Sequence, residues 1–273
     1  MTAVLQDLLG RVEASGRPVL AVSPHLDDAV LSAGAWLSAL SAVAPVLVAT
    51  VFSAAAPPPH SWIARRFVRA CGYDEATELF AARRIEDRDV LAELGLTPVH
   101  LGQIDAVFRR TAIGPWTRPS YPTLRFDALR GRLARSDRAL AASVARIIAD
   151  LIGRHDPALV LAPLGIGRHV DHLIVHDGVR SADLARRRAS GGSGAAGDGK
   201  PRWDVVYASD QPYALTQTPD AAAEGHERHE WTRGRARVLA VAAGYRTQMP
   251  VLYPGGAPVT PEVLWVPIGH PNR

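Results

Sequence analysis

Two short stretches of this chain hold the residue types that hydrolytic metal chemistry needs. One is Pro24-His25-Leu26-Asp27-Asp28, and the other is Gly165-Ile166-Gly167-Arg168-His169-Val170-Asp171-His172. Imidazole nitrogen and carboxylate oxygen are good zinc ligands, and catalytic zinc sites combine three protein ligands with one open position. His25 and Asp28 stand three apart across a turn entering a helix, so both side chains can face one point. His172 completes a His/Asp/His set from the second stretch. Asp27, between the first two ligands, is then placed as a general base. Zinc lowers the pKa of a water it holds from about 16 toward about 7, which makes hydroxide available near neutrality. His169, held protonated by Asp171, reads as the group that stabilises the oxyanion and protonates the leaving amine.

Each residue also has a plain structural reading. Asp28 and Asp171 could simply cap helices, each worth about 1 kcal/mol, and a lone histidine in a loop is usually structural. The joint occurrence decides the matter. Carboxylates and imidazoles buried together without a metal would demand costly pairing.

The two stretches must be brought together by the elements around them. PVLAVS (Pro18–Ser23) precedes the first and ALVLAP (Ala158–Pro163) the second, both as compact apolar strands. Further strands are expected at PVLVATVFS (Pro45–Ser53), TPVHLG, WDVVYAS (Trp203–Ser209) and near VLWVPI. Helices are expected from Asp28 to about Ser41, from about Ala76 to Leu94 with Gly95 as C-cap, from Asp137 to His155, from Val170 to Arg188, and around Trp231 to Arg246. Strands apolar along their whole length and separated by helices imply a mostly parallel sheet covered on both faces. The expectation is therefore an α/β, Rossmann-like doubly wound fold, as one domain over residues 1–273. In such a sheet ligands bind beyond the carboxyl ends of the strands, so the two loaded loops can converge. The irregular stretch from Gln103 to about Ser136 is expected to shape a substrate pocket, and the glycine-rich loop at about 189–201 to be mobile.

Composition narrows the function classes. The chain has 273 residues, 47% hydrophobic and 21% charged, an ordinary globular balance. No apolar run approaches the roughly 18–20 residues that cross a bilayer. The opening MTAVLQDLLGRVEASGRP reads as an amphipathic helix (Val4, Leu5, Leu8, Leu9, Val12) rather than a signal peptide. Cys71 is the only cysteine, which excludes an internal disulfide and makes a cytoplasmic location the default. Cys71 has no evident partner in FVRACGY and is not read as a nucleophile. The net charge of +4 comes from scattered arginines, and no nucleic-acid motif accompanies them. The run Arg186-Arg187-Arg188 reads as a solvated helix end. Neither nucleic acid nor membrane is expected as a partner.

The paired motifs resemble the PIG-L/LmbE-like deacetylase superfamily, which includes N-acetylglucosaminyl-phosphatidylinositol, mycothiol- and bacillithiol-pathway and antibiotic-pathway deacetylases. Its members carry Pro-His-Pro-Asp-Asp-Glu after the first strand and His-Pro-Asp-His after a later one. Here these are Pro24-His25-Leu26-Asp27-Asp28-Ala29 and His169-Val170-Asp171-His172. Arg83-Arg84 with Glu86, Leu94-Gly95, Leu101-Gly102 before Asp105, Asp210 with Pro212-Tyr213, and Tyr245-Arg246-Thr247-Gln248 are similar to further landmarks. The resemblance implies His25, Asp28 and His172 as zinc ligands, Asp27 as base, and His169 as acid or oxyanion stabiliser supported by Asp171. It implies Asp105 as a contact to a sugar hydroxyl, and Arg109 or Arg110 close by is read either as a contact to an anionic or hydroxylated substrate or as a solvated surface arginine. Ala29 stands where the family has Glu, and Leu26 and Val170 replace prolines. Gly167 stands where some members place an oxyanion-donating tyrosine, which leaves Arg168 or Tyr213, both read as substrate-binding, as the candidates for that donor.

Zinc is the expected cofactor, with Fe2+ as the alternative. The expected reaction removes an N-acyl group, foremost N-acetyl, from an amino sugar or related polar small molecule. The Ala/Arg/Gly-rich composition hints at specialised metabolism. Two other readings compete: an amidase of a larger thiol or glycoside conjugate, and a catalytically silent binding protein on the same fold, supported only by Ala29.

Overall fold

The computed structural model describes residues 3–122, 128–191, 203–219 and 223–268. Along the chain run α1 (Ala3–Ser15), β1 (Val19–Ser23), α2 (Asp28–Leu40), β2 (Val46–Thr50), α3 (Trp62–Ala70), α4 (Ala76–Glu93) and β3 (Thr97–His100). A short hairpin, β4 (Arg110–Ile113) and β5 (Trp116–Pro119), follows. Then come α5 (Arg138–His155), β6 (Leu159–Pro163), α6 (Val170–Gly191), β7 (Asp204–Ala208), β8 (His226–Trp231), α7 (Arg235–Ala242), α8 (Met249–Leu252) and β9 (Glu262–Pro267).

Seven strands form one sheet in the order β3-β2-β1-β6-β7-β9-β8. The first five are parallel, and β9 and β8 add antiparallel at one edge. β1 and β6 are buried at every position, because helices cover both faces. Val19, Ala21 and Leu161 pack with apolar residues of α1, α2, α4 and α7 on one side. Leu20, Val22 and Val160 pack with α5 and α6 on the other. The doubly wound, mostly parallel α/β fold expected from the apolar runs is the fold observed.

The chain winds outward from β1 through β2 to β3, then returns to β6 and winds the other way. The reversal falls between β1 and β6, which pair directly in register Val19↔Leu159 to Ala21↔Leu161. At such a switch point the loops leaving adjacent strands diverge and open a crevice. The two chemistry-bearing stretches leave these two strands.

Three elements depart from expectation. The stretch expected as a helix from Trp231 to Arg246 begins as the last residue of β8, and α7 occupies only Arg235–Ala242. His-Glu-Arg-His-Glu-Trp has too many charges to signal a strand. It pairs with β9 as the sheet edge, burying His229 and Trp231 while Glu227 and Arg228 face solvent, an arrangement that suits an edge strand. The Gln103–Ser136 stretch holds the β4–β5 hairpin, turning at Gly114 with φ 55°. The α3 helix was not expected either; the Ser61 side chain accepts from Ala64 N–H to start it. Of the glycine-rich loop at 189–201, residues 192–201 lie outside the described residues.

The helix α2 is broken at Ala33 (φ −149°, ψ 15°), and a buried ion pair satisfies both sides of the break. The N–H groups of Ala35 and Trp36 donate to the Glu262 carboxylate at 2.7 and 2.9 Å. Arg235 donates to the freed Leu31 carbonyl at 2.8 Å and to Glu262 at 3.0 Å. Both side chains are buried, and removing one partner of such a pair leaves the other charge uncompensated. Arg235→Ala is therefore expected to cost about 3–5 kcal/mol in urea unfolding. A cost below about 1 kcal/mol would show that the pair does not hold the broken helix.

Candidate metal and catalytic site

The loop after β1 is tied by Ser23, whose hydroxyl donates to the His25 carbonyl (2.8 Å) and accepts from Ala29 N–H (3.2 Å). This turns the chain so that Asp28 opens α2 with its carboxylate folded back. Asp28 Oδ2 accepts from the His25 backbone N–H at 2.9 Å and lies 3.0 Å from His25 Nδ1. From the loop after β6, His172 on the first turn of α6 brings its Nε2 to 3.3 Å from the same oxygen. One ligand atom each from His25, Asp28 and His172 all lie within 4.8 Å of one another.

The far nitrogen of each imidazole meets another carboxylate. His25 Nε2 lies 3.1 Å from Asp171 Oδ2, and His172 Nδ1 lies 2.5 Å from Asp210 Oδ1. Asp210, at the end of β7, is fixed in turn by the backbone N–H groups of Gly165 and Ile166, both at 2.8 Å. A carboxylate behind a ligating imidazole orients the ring and raises its basicity. The near atoms are thus left for a cation, and this donor set fits a divalent metal such as zinc. A second grouping, His25 with His169 and Asp171, is also compact. It fits less well, because Asp171 already bonds Ala106 N–H at 3.0 Å and Arg109 at 2.5 Å.

The charges agree with this choice. Burial works against a proton on His25, but Asp171 and Asp28 outweigh it and hold the ring well above the usual imidazole range. Burial likewise opposes charge on His172, yet Asp28 and Asp210 push it up to about 9. Burial alone would raise Asp28, but His172 and His25 keep it well below the usual carboxylate range. The cluster holds more carboxylate than fixed cation, and protons fill the deficit when no metal does. Asp27 differs: burial pushes it up to about 6, against the pull of Arg83. The Arg83 guanidinium is 3.7 Å away, and the Asp27 carboxylate has no hydrogen bond among the described residues.

His169 is not held protonated by the Asp171 carboxylate. Its Nδ1 accepts from the Asp171 backbone N–H at 3.2 Å, so its proton sits on Nε2. Burial, with His25 and His172 alongside, pushes it down to about 3. The Asp171 carboxylate instead serves His25. Arg109, read from the sequence as a substrate contact, is buried and bridges Asp171 to Asp137, 2.7 Å from its Nε. Asp105 starts the same turn by accepting from Val107 N–H (3.0 Å), with its other oxygen 3.7 Å from His25 Nε2. Arg168 is exposed, at φ 54°, with its side chain beside Gly131. The Tyr213 ring packs edge-on against His172 at 5.7 Å.

Asp210, Arg83, Asp137 and Ser23 were not assigned to the site from sequence. Asp210 carried a readable signal, since it ends the strand beside β6, where a doubly wound sheet puts its crevice. Arg83 belongs to a polar strip on α4. Next to it Glu86 accepts from Thr247 Oγ1 (2.7 Å), and Asp87 accepts from Tyr245 Oη (2.9 Å). Cys71 is buried, accepts from Gln248 and has its thiol pushed up by burial, as befits an inert cysteine. Beside Ala29 lies a cavity of about 20 Å³ bounded by Ser23, Asp28, Ser32 and Asp210, the size of one water.

Comparison with known proteins agrees with this layout. Residues 20–182 match the model of the PIG-L family, GlcNAc-PI de-N-acetylase. The chain is 33% identical over 200 residues to the 2'-N-acetylparomamine deacetylase of Streptomyces fradiae, covering 73% of this chain and 58% of that protein. It therefore spans a little over half the length of that curated relative. Among solved structures, a deacetylase of the teicoplanin biosynthesis pathway in complex with bog is 27% identical, covering 94% of this chain and 100% of that one, with a TM-score of 0.73. The zinc-inhibited form of teicoplanin deacetylase Orf2 is 26% identical at the same coverage, with a TM-score of 0.70. Among the described residues no helix is long and apolar enough to cross a membrane.

Metal must displace the proton that His172 carries up to about pH 9, so affinity should tighten as pH rises toward that value. Calorimetry of zinc binding at pH 7.5 in buffers of differing ionisation enthalpy should register net proton release. Binding without proton release would show that neither His25 nor His172 is protonated in the metal-free protein at that pH. Asp210→Asn should weaken zinc about 10–100-fold, and unchanged affinity would remove Asp210 from the metal's support.

Proposed function

The chain belongs to the PIG-L family of GlcNAc-PI de-N-acetylases, and from that membership and the site geometry we propose that it is a metal-dependent N-deacetylase. The proposed substrate is an N-acetylated amino sugar carried on a larger biosynthetic scaffold. The relatives named above point to that class, being deacetylases of an acetylated paromamine and of the teicoplanin pathway. The observation that carries the proposal is the Asp27 carboxylate, faced only by Arg83 at 3.7 Å among the described residues, standing next to a convergent His25/Asp28/His172 set.

In this reading His25, Asp28 and His172 hold one metal, and zinc is the metal proposed. The donor set of two imidazoles and one carboxylate suits it. When bound, the metal polarises the amide carbonyl and acidifies water. Asp27 takes the proton from the attacking water, and a carboxyl pushed up to about 6 can then hand that proton to the departing nitrogen. His169 takes part as a neutral donor through Nε2–H, because its Nδ1 is committed to the Asp171 N–H. Asp105, at the rim of the set, is proposed to meet a sugar hydroxyl. Arg109 serves by holding Asp171 behind His25. A groove of about 580 Å³ lined by Pro57–Pro59, Gln103, Ile104 and Phe108–Arg110 gives room for the rest of the scaffold.

The zinc-loaded protein, given 2'-N-acetylparomamine and N-acetylglucosaminyl glycosides, should release acetate and free amine in equal amounts. Activity should fall on the acid side, because a protonated Asp27 cannot accept the water proton. Asp27→Ala should lose about 10²–10⁴-fold in kcat and keep its metal. Near-normal turnover of that variant would sink the role of Asp27. Lack of acetate release from every substrate would turn the reading toward a silent binding protein.

A further inference from the structure

Amide hydrolysis places negative charge on the carbonyl oxygen as the water oxygen–carbon bond forms and before the carbon–nitrogen bond breaks. The largest single contribution to such catalysis usually comes from preorganised donors aimed at that oxygen. Most donors around the His25/Asp28/His172 set are already committed. Arg109 is spent on Asp171 and Asp137, and Arg83 faces Asp27. The N–H groups of Gly165 and Ile166 serve Asp210, and that of Ala106 serves Asp171. The Arg168 side chain lies against Gly131.

His169 keeps its Nε2–H available, and Tyr213 is a second uncommitted donor on the other side of His172. It follows β7 and the Asp210 carboxylate that supports His172, and its ring stacks edge-on to His172. Its hydroxyl makes no hydrogen bond among the described residues, and it is not a sealed, unsatisfied buried atom. The ring occupies the space above Gly167: a Cβ at that position would meet Tyr213 ring carbons at 2.3 and 2.6 Å. Gly167 also has φ 84°, so a side chain there would be strained as well as obstructed. The glycine and the tyrosine therefore form one device, in which the absent side chain at 167 admits the aromatic ring from the β7 loop.

We propose that Tyr213, seated over Gly167, is a catalytic residue that donates its O–H to the carbonyl oxygen of the scissile amide. This rests on the deacetylase reading above. The hydroxyl keeps its proton throughout; it strengthens one hydrogen bond as charge develops, and the water proton still travels by Asp27 to the leaving nitrogen.

The test compares Tyr213→Phe and Gly167→Ala with the parent, all zinc-loaded. Loss of one such donor should lower kcat about 10²–10³-fold with KM little changed, and zinc content should stay at the parent's value. Gly167→Ala should bring a similar loss by displacing the ring, and the double variant should be no worse than either single one. Product acetate supplies a readout independent of turnover: calorimetry should show weaker acetate binding to both variants. Equal kcat and equal acetate affinity in Tyr213→Phe would overturn the inference while leaving the deacetylase reading intact. A parent that releases no acetate from any substrate, with weakened acetate binding in Tyr213→Phe, would overturn that reading and keep Tyr213 at the site.

Discussion

The rest of this structure depends on one electrostatic constraint: a cluster of carboxylates has to be neutralised in a place that water barely reaches. Asp28, Asp105, Asp171 and Asp210 converge on two imidazoles with Asp27 alongside, and Asp171 and Asp210 are almost wholly buried. Charges in such surroundings persist only when paired or bound to metal. Arg83 and Arg109 supply part of the balance. The raised His25 and His172 supply the rest as protons, and the same deficit makes the centre attractive to a dication.

That constraint accounts for the architecture around the crevice. Asp27, Asp171 and Asp210 are each held by a different segment. Asp210 rests on two N–H groups of the β6–α6 loop. Asp171 is wrapped by the turn at Asp105–Arg109, and Arg109 is anchored from behind by Asp137 at the start of α5. The stretch between β3 and α5 thereby has two duties. Its Asp105–Arg109 turn is part of the electrostatic scaffold, while its hairpin stands out with Trp116 largely exposed. The broken α2 extends the scaffold further. Ser32, just before the break, accepts from Gln211 N–H at 3.1 Å, which fixes the residue after Asp210.

Much of this was legible in the chain. The apolar runs at Pro18–Ser23 and Ala158–Pro163 became the two central strands, because continuous apolarity has no other use than burial on both faces. The spacing of His25 and Asp28, and the position of His172 after a second strand, was enough to anticipate that they would meet. Elements whose signals are mixed were not legible. β8 is a charged edge strand that exists through its pairing with β9, and α7 is short because that pairing consumes the residues before it.

Sequence alone determined the residue types at the centre, the strands that deliver them and the α/β class, since each is carried by local pattern and composition. Only the tertiary structure decided which carboxylate stands behind which imidazole. Asp171 sits two residues from His169 in sequence, yet its side chain turns to His25 and Arg109. Arg109, in an arginine-rich loop that reads as surface, became buried because Asp171 and Asp137 close on it from two sides. Tyr213 came to lie over Gly167 because β7 and β6 are neighbours in the sheet. Pairings of this kind join residues 28 to 146 positions apart, and they are chosen by which desolvated charges and which empty volumes the folded sheet brings face to face.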